Sequence, residues 1–167
     1  MRASSVSALL ASGILAATAA GPAAAIEFSE RLVGGNENPP VVSDGSGRFV
    51  ARIKPDLIRF VLRYKDLTDV TAAHIHIANP GNNGGVAAFL CSPCPPAPAV
   101  VRGEIAAQDV LEVTVETEDP AEPIVVLEAE DLEGLIRLIR QGATYANVHT
   151  MEHPGGEIRG QINPRRR

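Results

Sequence analysis

The sequence predicts an all-β protein, mainly of antiparallel strands arranged as a sandwich, with one helix. Several segments alternate apolar and polar residues with a period of two, as strands with one buried face do. Turn-forming runs at 44–45, 55–56 and 79–85 separate them. Many short strands joined by such turns indicate a sandwich or a barrel. One later stretch repeats its apolar residues at helical spacing instead.

The first 25 residues have the pattern of a secretory signal peptide. Arg2 is followed by an apolar run rich in alanine and leucine, and Ala23–Ala25 offers a small-residue cleavage site. The segment is too short and too rich in alanine for a good membrane anchor. We therefore expect residues 26–167 to be a single domain that is secreted or periplasmic and not an integral membrane protein.

The charge balance bears on the kind of partner. The chain has 15 lysine and arginine residues against 20 aspartate and glutamate residues, a net charge of −5. An acidic surface argues against binding to nucleic acid. We expect the partner to be an extracellular or periplasmic protein or surface.

Three segments, at 48–54, 58–65 and 111–116, show the alternation expected of half-buried strands. Their charged residues fall between the apolar ones, so one face of each strand should be solvated. The residues expected to face the core are Phe49, Ala51, Ile53, Ile58, Phe60, Leu62, Tyr64, Leu111, Val113 and Val115.

The helix is predicted at residues 131–141. Asp131 can cap its first turn, and Gly142 can close its last turn. Its apolar stripe, which should cover one edge or end of the sandwich, consists of Leu132, Leu135, Ile136 and Ile139.

Cys91 and Cys94 lie in a loop with four prolines, which exclude a helix or the interior of a sheet. A thioredoxin-like redox centre would need a helix starting at the motif, and a zinc knuckle would need a second cysteine pair. In an exported protein we expect a disulfide that staples the loop.

The four histidines lie in two short segments. His74 and His76 are two residues apart, so on a strand they project from one face. In the last part of the chain His149 shares a strand face with Asn147. If the two strands lie side by side, the three imidazoles could bind copper or zinc. The alternative is that these histidines only brace the end of the sheet through hydrogen bonds.

The chain closes with a turn and an alternating strand at 157–162. On that strand Ile158 and Ile162 should be buried. Arg159, which is on the opposite face of the strand, should pair with a carboxylate. His153 should be exposed beside the turn. The turn is formed by Pro154, Gly155 and Gly156, and the polar cluster around the histidines is expected to include Asn147, Glu157 and Arg159.

No catalytic motif is evident in the sequence. Residues 149–153 spell H-x-x-E-H, a metalloprotease pattern, but that chemistry requires a helix and this segment has the pattern of a strand followed by a turn. Phosphate-binding, dinucleotide-binding and serine-nucleophile motifs are missing. We therefore expect no enzymatic activity.

Three segments together resemble a known family. They are LVGGNENPP at 32–40, AHIHIANPGNNGGVAAFLC at 73–91 and YANVHTMEHPGGEIRGQI at 145–162. They are similar to the CHRD domain, named after chordin and also found in many bacterial secreted proteins. The resemblance covers residues 29–162. It implies an immunoglobulin-like or Cu,Zn-superoxide-dismutase-like sandwich that acts as an extracellular module without established catalytic activity.

These observations leave three functions in order of preference. The first is an exported, non-enzymatic binding or structural module of the CHRD type. The second is a copper- or zinc-binding protein that uses His74, His76 and His149. The third, an enzyme like superoxide dismutase, would need a bridging histidine and a second set of metal ligands, which four histidines do not supply.

Overall fold

The computed structural model describes residues 26–117 and 123–163. The predicted signal segment, residues 1–25, lies outside the described residues. Within them the chain forms ten strands, one α-helix and two short 3-10 turns at Gly34–Asn36 and Ala107–Asp109. The elements are β1 (Glu27–Val33), β2 (Ser46–Ile53), β3 (Ile58–Lys65), β4 (Val70–Ile77), β5 (Val86–Cys91), β6 (Ala99–Ile105), β7 (Val113–Val115), β8 (Ile124–Leu127), α1 (Leu132–Gln141), β9 (Thr144–Thr150) and β10 (Ile158–Ile162).

Eight strands form one large sheet in the order β5-β4-β9-β10-β1-β2-β3-β6. Every neighbouring pair in it is antiparallel. The end strands β5 and β6 lie in contact, so the sheet nearly closes on itself around the apolar core. The predicted antiparallel all-β fold with one helix is confirmed. The two sides of this one curved sheet pack against each other across the core.

The alternation in β2 and β3 places large apolar side chains inside the sheet. Phe49, Ile58 and Leu62 are fully buried, and the Phe49 and Phe60 rings stack with centroids 6.2 Å apart. Burying each such side chain contributes about 1.5–3 kcal/mol to the free energy of unfolding. The inward set predicted for these two strands is confirmed.

The predicted helix is also confirmed. The Asp131 carboxylate accepts a hydrogen bond from the Gly134 amide at 2.7 Å, which caps the first turn. Gly142 ends the helix in the left-handed conformation, with φ 74°. Leu135 and Ile139 are buried, as the apolar stripe predicts.

The prediction for residues 111–116 is wrong in part. Val113 is buried, but Leu111 is 38% exposed and Val115 is 52% exposed. The reason is that β7 pairs only with β8 in a separate two-stranded sheet. A two-stranded ribbon buries only the residues that contact the main core. The alternation of apolar and polar residues along it does not show which residues these are.

The proline-rich loop after β5 is fixed at three points. Cys91 and Cys94 form the predicted disulfide, with Cα atoms 5.0 Å apart. The Cys94 amide donates to the Thr71 carbonyl at 3.0 Å, and the Tyr64 hydroxyl donates to the Pro95 carbonyl. The loop is therefore held against the beginning of β4 and the end of β3.

The closing strand begins at Ile158, one residue later than predicted. Ile158 and Ile162 are fully buried, as expected. In the preceding turn Gly156 has a φ of 125°, which disfavours a side chain, whereas Gly155 has no positive φ. Among the described residues, no helix has the length and apolar character that crossing a membrane requires.

Replacing Ile158 with alanine is expected to lower the free energy of unfolding by about 2–5 kcal/mol, because the side chain is completely buried. The matched control is Ile124→Ala on β8, where the isoleucine is 59% exposed, and its cost should stay within about 0.5 kcal/mol. Urea unfolding of both variants measures the difference. Equal losses would contradict the assignment of the strand faces.

Candidate metal centre

Pairing between β4 and β9 brings three histidines onto one face of the sheet. His74 lies opposite Asn147, and His149 lies opposite Ala72. His76 is two residues beyond His74 on the same strand. Since side chains alternate between the faces of a strand, the three histidines share the face turned away from the apolar interior. Strands β4 and β9 are therefore neighbours, as the metal hypothesis requires.

The three rings are close enough to share one ion. One nitrogen from each ring can be chosen so that all three lie within 4.8 Å of one another, and His74 Nδ1 is 2.9 Å from His149 Nε2. Nitrogens bound to one zinc ion lie roughly 3.3 Å apart, because Zn–N bonds are about 2.0–2.1 Å. Small side-chain rotations would therefore suffice to close the cluster around an ion.

Backbone carbonyls determine which ring nitrogens of His76 and His149 carry the proton. The Nδ1 of His76 is 2.9 Å from the Gly84 carbonyl oxygen, and the Nδ1 of His149 is 2.9 Å from the Pro154 carbonyl oxygen. A carbonyl oxygen only accepts, so we infer that each Nδ1 carries the proton and that each Nε2 has a lone pair. Histidines that bind metals almost always donate their other N–H in this way.

Burial keeps the three imidazoles neutral. The pKa of His74 is lowered from 6.5 to about 4, mainly by burial and further by the neighbouring His149 and His76. Burial is also the main cause that lowers the pKa of His76 and of His149, although their hydrogen bonds to carbonyls oppose it. Neutral imidazole is the form that binds metal ions.

Aromatic rings enclose the histidines on two sides. Phe89 packs edge-on against His74, with ring centroids 4.7 Å apart. Tyr145 stacks on His76 at 4.8 Å, and the Arg159 guanidinium lies 3.3 Å from the centre of the same tyrosine ring. The histidines are therefore 7–9% exposed, although they are on the outer face of the sheet.

Next to the histidines is a set of buried polar atoms without hydrogen-bond partners. Within the described part of the chain there are five such side-chain atoms, and four belong to Glu37, His76 and Asn147. A Cβ on Gly156 would lie 2.6 Å from both the Asn147 amide nitrogen and a Glu37 carboxylate oxygen, so these two groups face the same point. Burial raises the pKa of Glu37 to about 7, against the opposing charge of Arg159.

The expected polar cluster is present in part. Asn147 and Arg159 are almost fully buried beside the histidines. Glu157, however, accepts hydrogen bonds from Ser43 and Thr150 at 2.6 and 2.7 Å. Among the described residues Arg159 makes no ion pair, so the prediction of a carboxylate partner is wrong. Its N–H groups instead donate to the Asn82 carbonyl and the Asn83 side chain.

The sequence predicts an exposed position for His153 and no role in the site for Glu37. His153 is only partly exposed and lies outside the histidine cluster, in the turn after β9. Sequence reasoning missed the place of Glu37 in the site. Its one sequence signal was its position in the opening segment that resembles the family.

The pKa shifts predict how the metal-free protein responds to acid. Because the unfolded histidines take up protons at a higher pH than the folded ones, stability should fall as the pH drops below about 6.5. The part due to His74 should be lost as the pH falls towards about 4. Glu37 acts in the opposite direction, since its raised pKa favours the folded state at low pH and that contribution is lost as the pH rises through about 7.

The cleanest measurement uses a Glu37→Gln background, in which the opposing effect is removed. Urea unfolding with a chelator present should show a loss attributable to His74 of about 1–2 kcal/mol between about pH 7 and about pH 5. Adding His74→Gln should remove that part of the loss. An unchanged pH dependence in the double variant would show that His74 is not held neutral by the fold.

Comparison with known proteins identifies the family of this chain. The family model of the CHRD domain matches residues 28–162. No curated protein and no solved structure matches the chain. The match covers nearly all of the chain and includes all three clustered histidines, and on this evidence the chain belongs to the CHRD domain family.

Proposed function

We propose that this CHRD domain is a non-enzymatic binding module that holds one copper or zinc ion through His74, His76 and His149. The observation that carries the proposal is the Nε2 atom of His76. It is buried, makes no hydrogen bond of normal geometry although the Asn147 side chain lies near it, and belongs to a ring whose other nitrogen is already bonded to a carbonyl. A buried polar atom left unpaired costs about 1–3 kcal/mol, and an ion bound there would remove that cost.

The chemistry of the donors favours copper or zinc. Three imidazoles are intermediate in softness, and they suit zinc, copper and similar ions better than calcium or magnesium, which prefer oxygen ligands. No cysteine is available for a softer site, because Cys91 and Cys94 are paired with each other. A site with three histidines also leaves one coordination position open.

Asn147 and Glu37 are suited to act at that open position. Their side chains carry three of the unpartnered buried polar atoms. Water or a small exogenous ligand on the ion would offer these atoms hydrogen-bond partners. These hydrogen bonds would help to retain a bound ion.

A second candidate function rests on the hydrogen bonds that the histidines already make. His74 contacts His149, and both His76 and His149 reach backbone carbonyls of loops. In this alternative the histidines brace the sheet, and the module binds a protein or surface elsewhere. A function outside the cytoplasm agrees with both candidates, because the chain has a signal-like first segment and a disulfide.

Calorimetric titration of metal-free protein with zinc and with copper tests the metal proposal. We expect about one ion per chain and a rise in melting temperature on binding, since the ion stabilises only the folded state. His76→Ala and His149→Ala should each lower the affinity by tenfold or more. His153→Ala is the matched control, because His153 lies on the adjacent turn outside the cluster, and it should bind as wild type does.

The same variants separate the metal function from the bracing function. If the histidines only brace the sheet, His76→Ala and His149→Ala will lower the melting temperature in the presence of a chelator, and metal will not raise it in wild type. A titration without heat or thermal shift from well-folded protein would therefore contradict the metal proposal.

A further inference from the structure

A row of three arginines crosses the outer face of the sheet, away from the histidines. Strand register places Arg31 opposite Arg48 and Arg48 opposite Arg63, on β1, β2 and β3. The row ends at Val100 on β6. Neighbouring strands are about 4.8 Å apart, so the row presents one cation per strand. We call these three residues the arginine row.

The arginine row has no carboxylate to neutralise it among the described residues. Arg48 donates a hydrogen bond to the Ser29 hydroxyl at 2.9 Å, but none of the three forms an ion pair there. All three side chains are exposed. Like charges directly opposite each other on adjacent strands are destabilising, so the fold alone gives no reason for this row.

A parallel row four residues further along the strands shows how the same sheet neutralises arginines. There Arg52 pairs with Glu27 at 2.6 Å, and Arg59 pairs with Glu104 at 2.7 Å. Acidic residues outnumber basic ones in this chain, so a shortage of carboxylates does not explain the unpaired row. We take the contrast as a sign that the arginine row is neutralised by a ligand.

The surface around the row is hollowed and elongated. A hollow of about 540 Å³ is lined by the arginine row, Lys65 and Val100. A second hollow of about 600 Å³ continues along the same face. It shares Arg63 with the first, adds the cation of Arg102, and ends at the ion-paired Arg59 and Glu104. Two hollows that share a residue form a trough, which fits an extended chain better than a single compact anion.

We propose that this trough binds a linear acidic polysaccharide with one carboxylate on each sugar. Arginine recognises carboxylates through two parallel N–H bonds, and the spacing of one cation per strand matches a polymer with one charge per unit. The exposed Val100 and the neighbouring Pro98 offer apolar surface to the faces of the sugar rings.

Two other polyanions fit the trough less well. A lipid surface is flat, and it would leave the two hollows unfilled. Duplex nucleic acid carries about one charge per 1.7 Å, far more densely than a polymer with one carboxylate on each sugar, so the net negative charge of the chain opposes its binding more strongly. The trough shares no residue with the histidine cluster, so a failure of the metal proposal would not affect this one.

Fluorescence anisotropy with a labelled oligogalacturonate, measured at low and high salt with a chelator present, tests the proposal. Wild type should bind, and salt should weaken the binding because the contacts are ionic. The double variant Arg48→Gln with Arg63→Gln should lower the affinity at least about tenfold. The matched control is Arg137→Gln with Arg140→Gln on α1, which removes the same charge from another surface and should leave affinity nearly unchanged.

Three outcomes would overturn the proposal. They are no binding by wild type, equal losses in the two double variants, and binding to anionic lipid vesicles but not to the oligogalacturonate. The melting temperature of Arg48→Gln with Arg63→Gln should be equal to or above that of wild type, since like charges are removed. A marked fall would instead assign the arginines to the stability of the fold.

Discussion

The burial of one charged side chain, Arg159, constrains the whole outer face of the sheet at β4, β9 and β10. Its side chain is 1% exposed, and a buried charge is costly unless hydrogen bonds replace its water. The guanidinium lies over the Tyr145 ring and donates to the Asn82 carbonyl at 2.7 Å and to the Asn83 side chain at 3.2 Å. The loop after β4 must therefore lie over the sheet.

The same loop determines the state of the histidine cluster. Gly84 follows the two asparagines that hold Arg159, and its carbonyl oxygen accepts the Nδ1–H of His76. A Cβ on Gly84 would clash with the Ile77 carbonyl oxygen, so only glycine fits at this position. The arginine thus acts on the histidine through the loop: it fixes the loop, and the loop leaves Nε2 of His76 as the free nitrogen.

This covering layer explains an unusual property of β9. All seven of its residues are buried, although the strand alternates apolar and polar residues. Ala146 and Val148 face the apolar core, whereas Tyr145, Asn147 and His149 face the polar layer beneath the loops. The sheet therefore has two buried faces here, one apolar and one polar. A metal ion would fit the second face, because polar groups gathered there lack partners.

The sequence predicted those parts of the structure that depend on local periodicity. The inward residues of β2 and β3 follow from alternation, and α1 follows from helical spacing with Asp131 and Gly142 at its ends. The common face of His74 and His76 follows from a separation of two residues. The nearness of His149 required the further assumption that β4 and β9 pair, for which the sequence had no local signal.

The errors and omissions depend on contacts between distant segments. Glu37 reaches the site from the turn after β1, and the Asn82 and Asn83 groups that hold Arg159 are 77 and 76 residues away from it along the chain. Alternation predicted that Arg48 and Arg63 point outward, but only the register of β1, β2 and β3 aligns them with Arg31. Val115 was assigned to the core because alternation does not reveal which sheet a strand joins.

We propose that the buried polar face holds one metal ion among three imidazoles. Anomalous X-ray diffraction from crystals of the zinc- or copper-loaded protein tests it most directly. We expect one anomalous peak per chain, with a nitrogen of His74, His76 and His149 each about 2.0–2.1 Å from it. A peak bound by His153 or by surface carboxylates, with His74 still hydrogen-bonded to His149, would contradict it.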